Sequence, residues 1–125
     1  MARILVIDDD EEFLNIMNLL LTNAGYEVKT VSRSEGVMEE IEETEPDLVI
    51  TDIMMPGISG SMVYEQIRRD LGPSIPIIVC TGTTLKVHTK DDSLIRTCRK
   101  PVDCNELKQI VTFLLERANN LKTKT

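Results

Sequence analysis

Five apolar runs, at about residues 3–7, 27–31, 47–51, 76–80 and 94–99, alternate with stretches in which apolar residues return every three or four positions. The first, third and fourth runs are nearly continuous in Ile, Val and Leu. That pattern suits strands buried on both faces, and therefore parallel strands covered by helices. Between residues 11 and 24, Phe13, Ile16, Met17, Leu20, Leu21 and Ala24 fall on one stripe, and Gly25 ends the helix. Ser32 and Glu35 have the capping-box spacing and open a second helix, whose Val37, Met38 and Ile41 face the sheet and whose far boundary is Pro46. A third helix starts near Ser59 and stops before Gly72 and Pro73, with Met62, Val63, Ile67 and Leu71 inward. The last runs from about Cys104 to Asn120. Asp103 and Glu106 cap it, and Leu107, Ile110, Val111, Leu114, Ala118 and Leu121 form its stripe. Residues 82–93 carry no stripe, and Thr83, Thr84, Val87, His88 and Thr89 form helices poorly, so a short or irregular fourth helix, or a loop, is expected there. The alternation predicts an α/β fold, a doubly wound five-stranded parallel sheet with right-handed crossovers. One domain is expected over residues 1–121. The chain end frays from about Asn119, leaving a polar tail at 122–125.

Composition narrows this picture. A chain of 125 residues supports a single core. Its net charge of −7 argues against direct contact with nucleic acid. No apolar run approaches the roughly 20 residues of a membrane span. Strand residues follow Met1, Ala2 and Arg3 at once, so no signal peptide is expected and a cytoplasmic location is. Cys80, Cys98 and Cys104 lack metal-ligand spacing and read as reduced thiols, Cys80 as a core residue. His88 lies in a polar stretch without the orienting partner that a catalytic histidine needs.

The chemistry gathers at the strand ends. The first run ends in Asp8, Asp9 and Asp10, the third in Asp52, the fourth in Thr81 and Gly82, the fifth in Lys100 and Pro101. In a parallel sheet these ends share one edge, and open α/β sheets bind ligands outside the carboxyl ends of their strands. Carboxylates packed together repel one another, and a hard divalent cation with oxygen ligands relieves that repulsion.

In this order and at these strand ends, Asp8 and Asp9, Asp52 with the following Met55, Pro56, Gly57, Ser59 and Gly60, then Thr81, then Lys100 and Pro101 resemble the receiver domain of bacterial response regulators. The likeness covers essentially the whole chain, and the stretch from Pro46 to Gly57 is particularly close. The resemblance, not the pattern, implies the flavodoxin-like strand order 2-1-3-4-5. It implies that Asp52 accepts a phosphoryl group as an acyl phosphate. It assigns Mg2+ to Asp9 as principal ligand, to Asp8 mainly through water, and to Asp52 and the Met54 backbone carbonyl. Thr81 and Lys100 would hold phosphate oxygens, and Pro101 would direct Lys100 through a cis bond. Gly82 would allow close backbone approach to phosphate. Asp10 is better read as the cap of the first helix. The implied donor is a histidine kinase or a histidine phosphotransfer protein. The chain would catalyse only its own phosphorylation and a slow dephosphorylation.

Two positions depart from the family. Thr97 stands where receivers carry a Tyr or Phe that turns inward on activation, and the interval from Thr81 to Lys100 is several residues shorter than usual. The face that often serves as output, or as a homodimer contact, is therefore altered. We expect phosphorylation to reorder residues 82–93 instead. Met54, which cannot orient a water, predicts a long-lived acyl phosphate. Two other accounts remain: a protein-binding module on the same fold that works without phosphorylation, and a hydrolase, for which no separate general base is apparent. A plainer account makes Asp8 and Asp9 a polar turn and pairs Lys100 with Asp52.

Overall fold

In the computed structural model, the described residues are 2–32, 37–52, 54–55, 58–59, 65, 68–69, 74–81 and 93–123. In chain order they form β1 (Arg3–Ile7), α1 (Glu11–Asn23), β2 (Glu27–Val31), α2 (Val37–Thr44), β3 (Leu48–Asp52), two short strands β4 (Met54–Met55) and β5 (Ile58–Ser59), then β6 (Ile77–Thr81), β7 (Ile95–Arg99) and α3 (Cys104–Thr123).

Five strands make one sheet in the order β2-β1-β3-β6-β7, every pair parallel. Counting only these strands, the order is 2-1-3-4-5, as the resemblance implies. The three continuous apolar runs occupy its centre, where Ile4, Leu5, Val6, Leu48, Val49, Ile50, Ile77 and Ile78 are fully buried. The edge strands alternate or are half open, because only one side has a neighbour. On one face Ile4, Val6, Leu48, Ile50, Ile78 and Cys80 pack with Leu14, Met17 and Leu21 of α1 and with Leu107, Val111, Leu114 and Ala118 of α3. Ile41 of α2 is buried outside that cluster, so the sheet is covered on both faces.

Several element boundaries follow from local chemistry. Asp10 caps α1, accepting hydrogen bonds from the N–H groups of Glu12 and Phe13. Gly25 follows α1 at φ +97°, in the left-handed region that glycine tolerates. Glu45 takes φ +49° after α2, just ahead of Pro46. Asp103 accepts from the Glu106 N–H at 2.9 Å and opens α3.

Some expectations are corrected. In α1 the inward residues are Leu14, Met17 and Leu21, while Ile16 is 54% exposed and Ala24 lies open. The run from Leu14 to Leu21 is apolar on more than one side, so several stripes fit it equally well. Leu121 is 42% exposed instead of closing the α3 stripe. α3 continues to Thr123, three residues past the expected end, since neither Gly nor Pro follows Asn120 to stop it. Ser59 lies in β5, paired with Met54 of β4, before the third helix. Glu65, Arg68 and Arg69 are helical. The other residues of that helix, the capping positions 33–36, and residues 82–92 with the expected fourth helix lie outside the described residues. Among the described residues, no helix is long and apolar enough to cross a membrane.

Candidate functional site

Asp8, the first residue after β1, is fully buried. Its Oδ1 accepts the Asp10 N–H at 3.0 Å and its Oδ2 accepts from Lys100 Nζ at 2.6 Å. Burying a carboxylate is costly unless it is paired and hydrogen-bonded, and charge-assisted bonds of this length offset that cost. Asp9 is exposed. Asp10 turns its carboxylate to the start of α1, 3.0 Å from the Glu12 nitrogen and 3.3 Å from that of Phe13. Three consecutive aspartates thus have three environments: one buried and paired, one open, one a cap. The cap was legible in the sequence, since an aspartate ahead of two glutamates suits a helix start electrostatically.

Lys100 follows β7, and its peptide to Pro101 is cis. Asp8 follows β1, three strand positions away, a distance of roughly 14 Å at about 4.8 Å per strand. An ion pair 92 residues apart in sequence therefore spans the carboxyl ends of β3 and β6, the strands that close with Asp52 and Thr81. Lys100 Nζ also lies 4.4 Å from the centroid of the Phe13 ring, within cation–π range. Sequence reasoning placed Phe13 in the helix stripe and gave no sign of this contact.

Register places the remaining candidates. Ile7 pairs with Thr51, so Asp8 and Asp52 each come one residue after the same level of the sheet. Asp52 pairs with Cys80, and Thr81 pairs with Arg99, the residue before Lys100. The backbone thus brings Asp8, Asp52, Thr81 and Lys100 to one edge. The side chains of Asp52, Met54 and Thr81, and Gly82 as a whole, lie outside the described residues. Met54 keeps its backbone position two residues beyond Asp52, paired with Ser59. Thr97 pairs with Val79 and is exposed on the edge strand.

Below this edge Cys80 and Cys98 pair across β6 and β7 and are buried; Cys104 is exposed, and all three thiols are free. The hydrogen bond with Cys98 and burial push the Cys80 thiol well above the ordinary range, so it is inert as a nucleophile.

Comparison with known proteins decides the family. The sequence model of the response regulator receiver domain matches residues 4–112. The chain belongs to this family. It is 32% identical to the "Probable transcriptional regulator ycf27" of Pyropia yezoensis over 97% of its own length and 50% of that protein's. It is 37% identical to the transcriptional regulatory protein AfsQ1 of Streptomyces coelicolor over 66% of its length and 36% of that protein's. The receiver chain thus spans half of the first relative and about a third of the second. A response regulator receiver domain protein from Clostridium thermocellum has the same fold, with a TM-score of 0.76 and 30% identity over 98% of both chains.

A divalent cation fits what the receiver's edge offers. Asp8 already carries a cationic group on its buried carboxylate, Asp9 is open beside it, and the Met54 carbonyl follows Asp52, all of them hard oxygen donors. Among the described residues, no three His, Cys, Asp or Glu side chains converge on one point. The third carboxylate expected at this edge is that of Asp52.

Proposed function

We propose that this receiver accepts a phosphoryl group on Asp52 from a phosphohistidine of a histidine kinase or phosphotransfer protein, with Mg2+, and acts as a signalling switch. The observation that carries this reading is the Asp8–Lys100 bridge laid across the ends of β3 and β6. It puts a fixed ammonium at the edge where Asp52 ends its strand, and a phosphoryl group in transfer needs such a charge. Asp52 attacks the phosphorus through a carboxylate oxygen. The phosphorus–nitrogen bond breaks, and the imidazole leaves with the electron pair and takes up a proton. Lys100 then meets a phosphate oxygen, and the Thr81 hydroxyl donates to another.

Asp9, Asp8, Asp52 and the Met54 carbonyl would hold the Mg2+. When bound, it neutralises charge on the transferring oxygens. The chain acts on no other substrate in this reading. Its three free thiols fit a reducing cytoplasm, and its charge of −7 fits a domain that does not itself contact DNA. Met54 offers no hydrogen bond to an attacking water, so Met54→Asn is expected to shorten the phosphoryl half-life. Thr97 cannot provide the family's aromatic relay, and the expected reordering of residues 82–93 falls almost wholly outside the described residues.

The test is to incubate the chain with Mg2+ and phosphoramidate and to weigh it. Gain of one phosphoryl group, lost on removing Mg2+, supports the reading. No gain points to the binding module, and steady release of inorganic phosphate without gain points to a hydrolase.

A further inference from the structure

We infer that Phe13 is a positioning residue that holds the Lys100 ammonium in place while it changes partner from Asp8 to the phosphoryl group; this rests on the function proposed above. The contact is built, not incidental. Phe13 sits in the first turn of α1, and its N–H is bonded to the capping carboxylate of Asp10 at 3.3 Å. Its ring packs against the core cluster, so backbone and ring are both fixed. Lys100 Nζ lies 4.4 Å from the ring centroid while 2.6 Å from Asp8 Oδ2.

The two holds differ in kind. The Asp8 carboxylate is a charged acceptor and competes with phosphate oxygens for the same ammonium. The ring face attracts a cation through its quadrupole but carries no acceptor atom and no net charge. An ammonium has three donors and a long flexible stem, and its loss of freedom opposes any fixed position. A neutral face lets the ammonium turn its donors to an incoming anion without leaving its place. Lys100 and Phe13 both line one open cavity of about 430 Å³, so neither is sealed inside the core.

The experiment compares the wild-type chain with Phe13→Leu and Phe13→Tyr, and with Phe13→Met as a second ringless variant should the leucine chain fold poorly. In the absence of any phosphoryl donor, the Lys100 ε-methylene protons are expected upfield by ring current in the wild-type and tyrosine chains, and at their ordinary position in the leucine chain. With Mg2+ and phosphoramidate, the leucine chain is expected to phosphorylate roughly 2- to 30-fold more slowly, the range such a contact carries, and tyrosine to restore the rate. Unshifted Lys100 protons in the wild type, or equal rates in a wild type that does take up phosphoryl and in its ringless variants, overturn the inference. If the wild type takes up none, the proposed function itself fails, and the inference falls with it.

Discussion

Strand β1 begins and ends in an ion pair, and the two pairs have little else in common. At its amino end Arg3 Nε meets Glu27 Oε2 at 3.0 Å, with the side chains 46% and 56% exposed. At its carboxyl end Asp8 meets Lys100 at 2.6 Å, with 0% and 22% exposed. The Arg3 pair links neighbouring strands, and Arg3 also donates to the Thr44 carbonyl and, through its backbone, to Asp47. It works as a clasp in water, where screening and side-chain entropy leave such pairs little net worth. The Lys100 pair crosses the sheet and is dry on the aspartate side. Removing one partner there strands a buried charge, which costs far more than the pair contributes. One edge therefore holds the sheet's start together, while the other buries a carboxylate against an ammonium at the edge where the phosphoryl site is proposed.

Substitutions break this comparison to different degrees. Lys100→Met leaves Asp8 buried without its cation and should cost about 3 kcal/mol, read as a lower urea midpoint at unchanged slope. Addition of Mg2+ should raise wild-type stability by about 2.7 kcal/mol at a hundredfold excess over its Kd, with most of that gain absent in Asp9→Asn. Asp10→Ala removes only the α1 cap and should cost about 1 kcal/mol. Glu27→Gln, at the exposed end, should give the smallest change, one that fades as salt is added. A large effect at Glu27, or none at Lys100, would erase the distinction between the two edges.

The order in which these features could be read from sequence has a physical basis. The central strands were legible because residues 4–7, 48–50 and 77–80 are apolar without interruption, and burial on both faces demands that. The strand ends were legible because each run stops at Asp, Thr or Lys. Asp10 was legible as a cap because its partners lie two and three residues away. The inward side of α1 was not, since Leu14, Ile16, Met17, Leu19, Leu20 and Leu21 offer more than one apolar face. Nor were the partners of Lys100: Asp8 and Phe13 lie more than eighty positions upstream, and only the closed fold brings them to it. The plainer account pairs Lys100 with Asp52, whose side chain lies outside the described residues; the ion pair described is with Asp8.

The central claim is that the carboxyl edge is a phosphoryl-transfer site with Asp52 as its nucleophile. Borohydride reduces an aspartyl phosphate to homoserine, so the chain can be phosphorylated with phosphoramidate and Mg2+, reduced, digested and sequenced by mass spectrometry. Homoserine at position 52 alone, and none in Asp52→Asn, is the predicted result. Homoserine at another aspartate, or none in a chain that has gained a phosphoryl group, would contradict it.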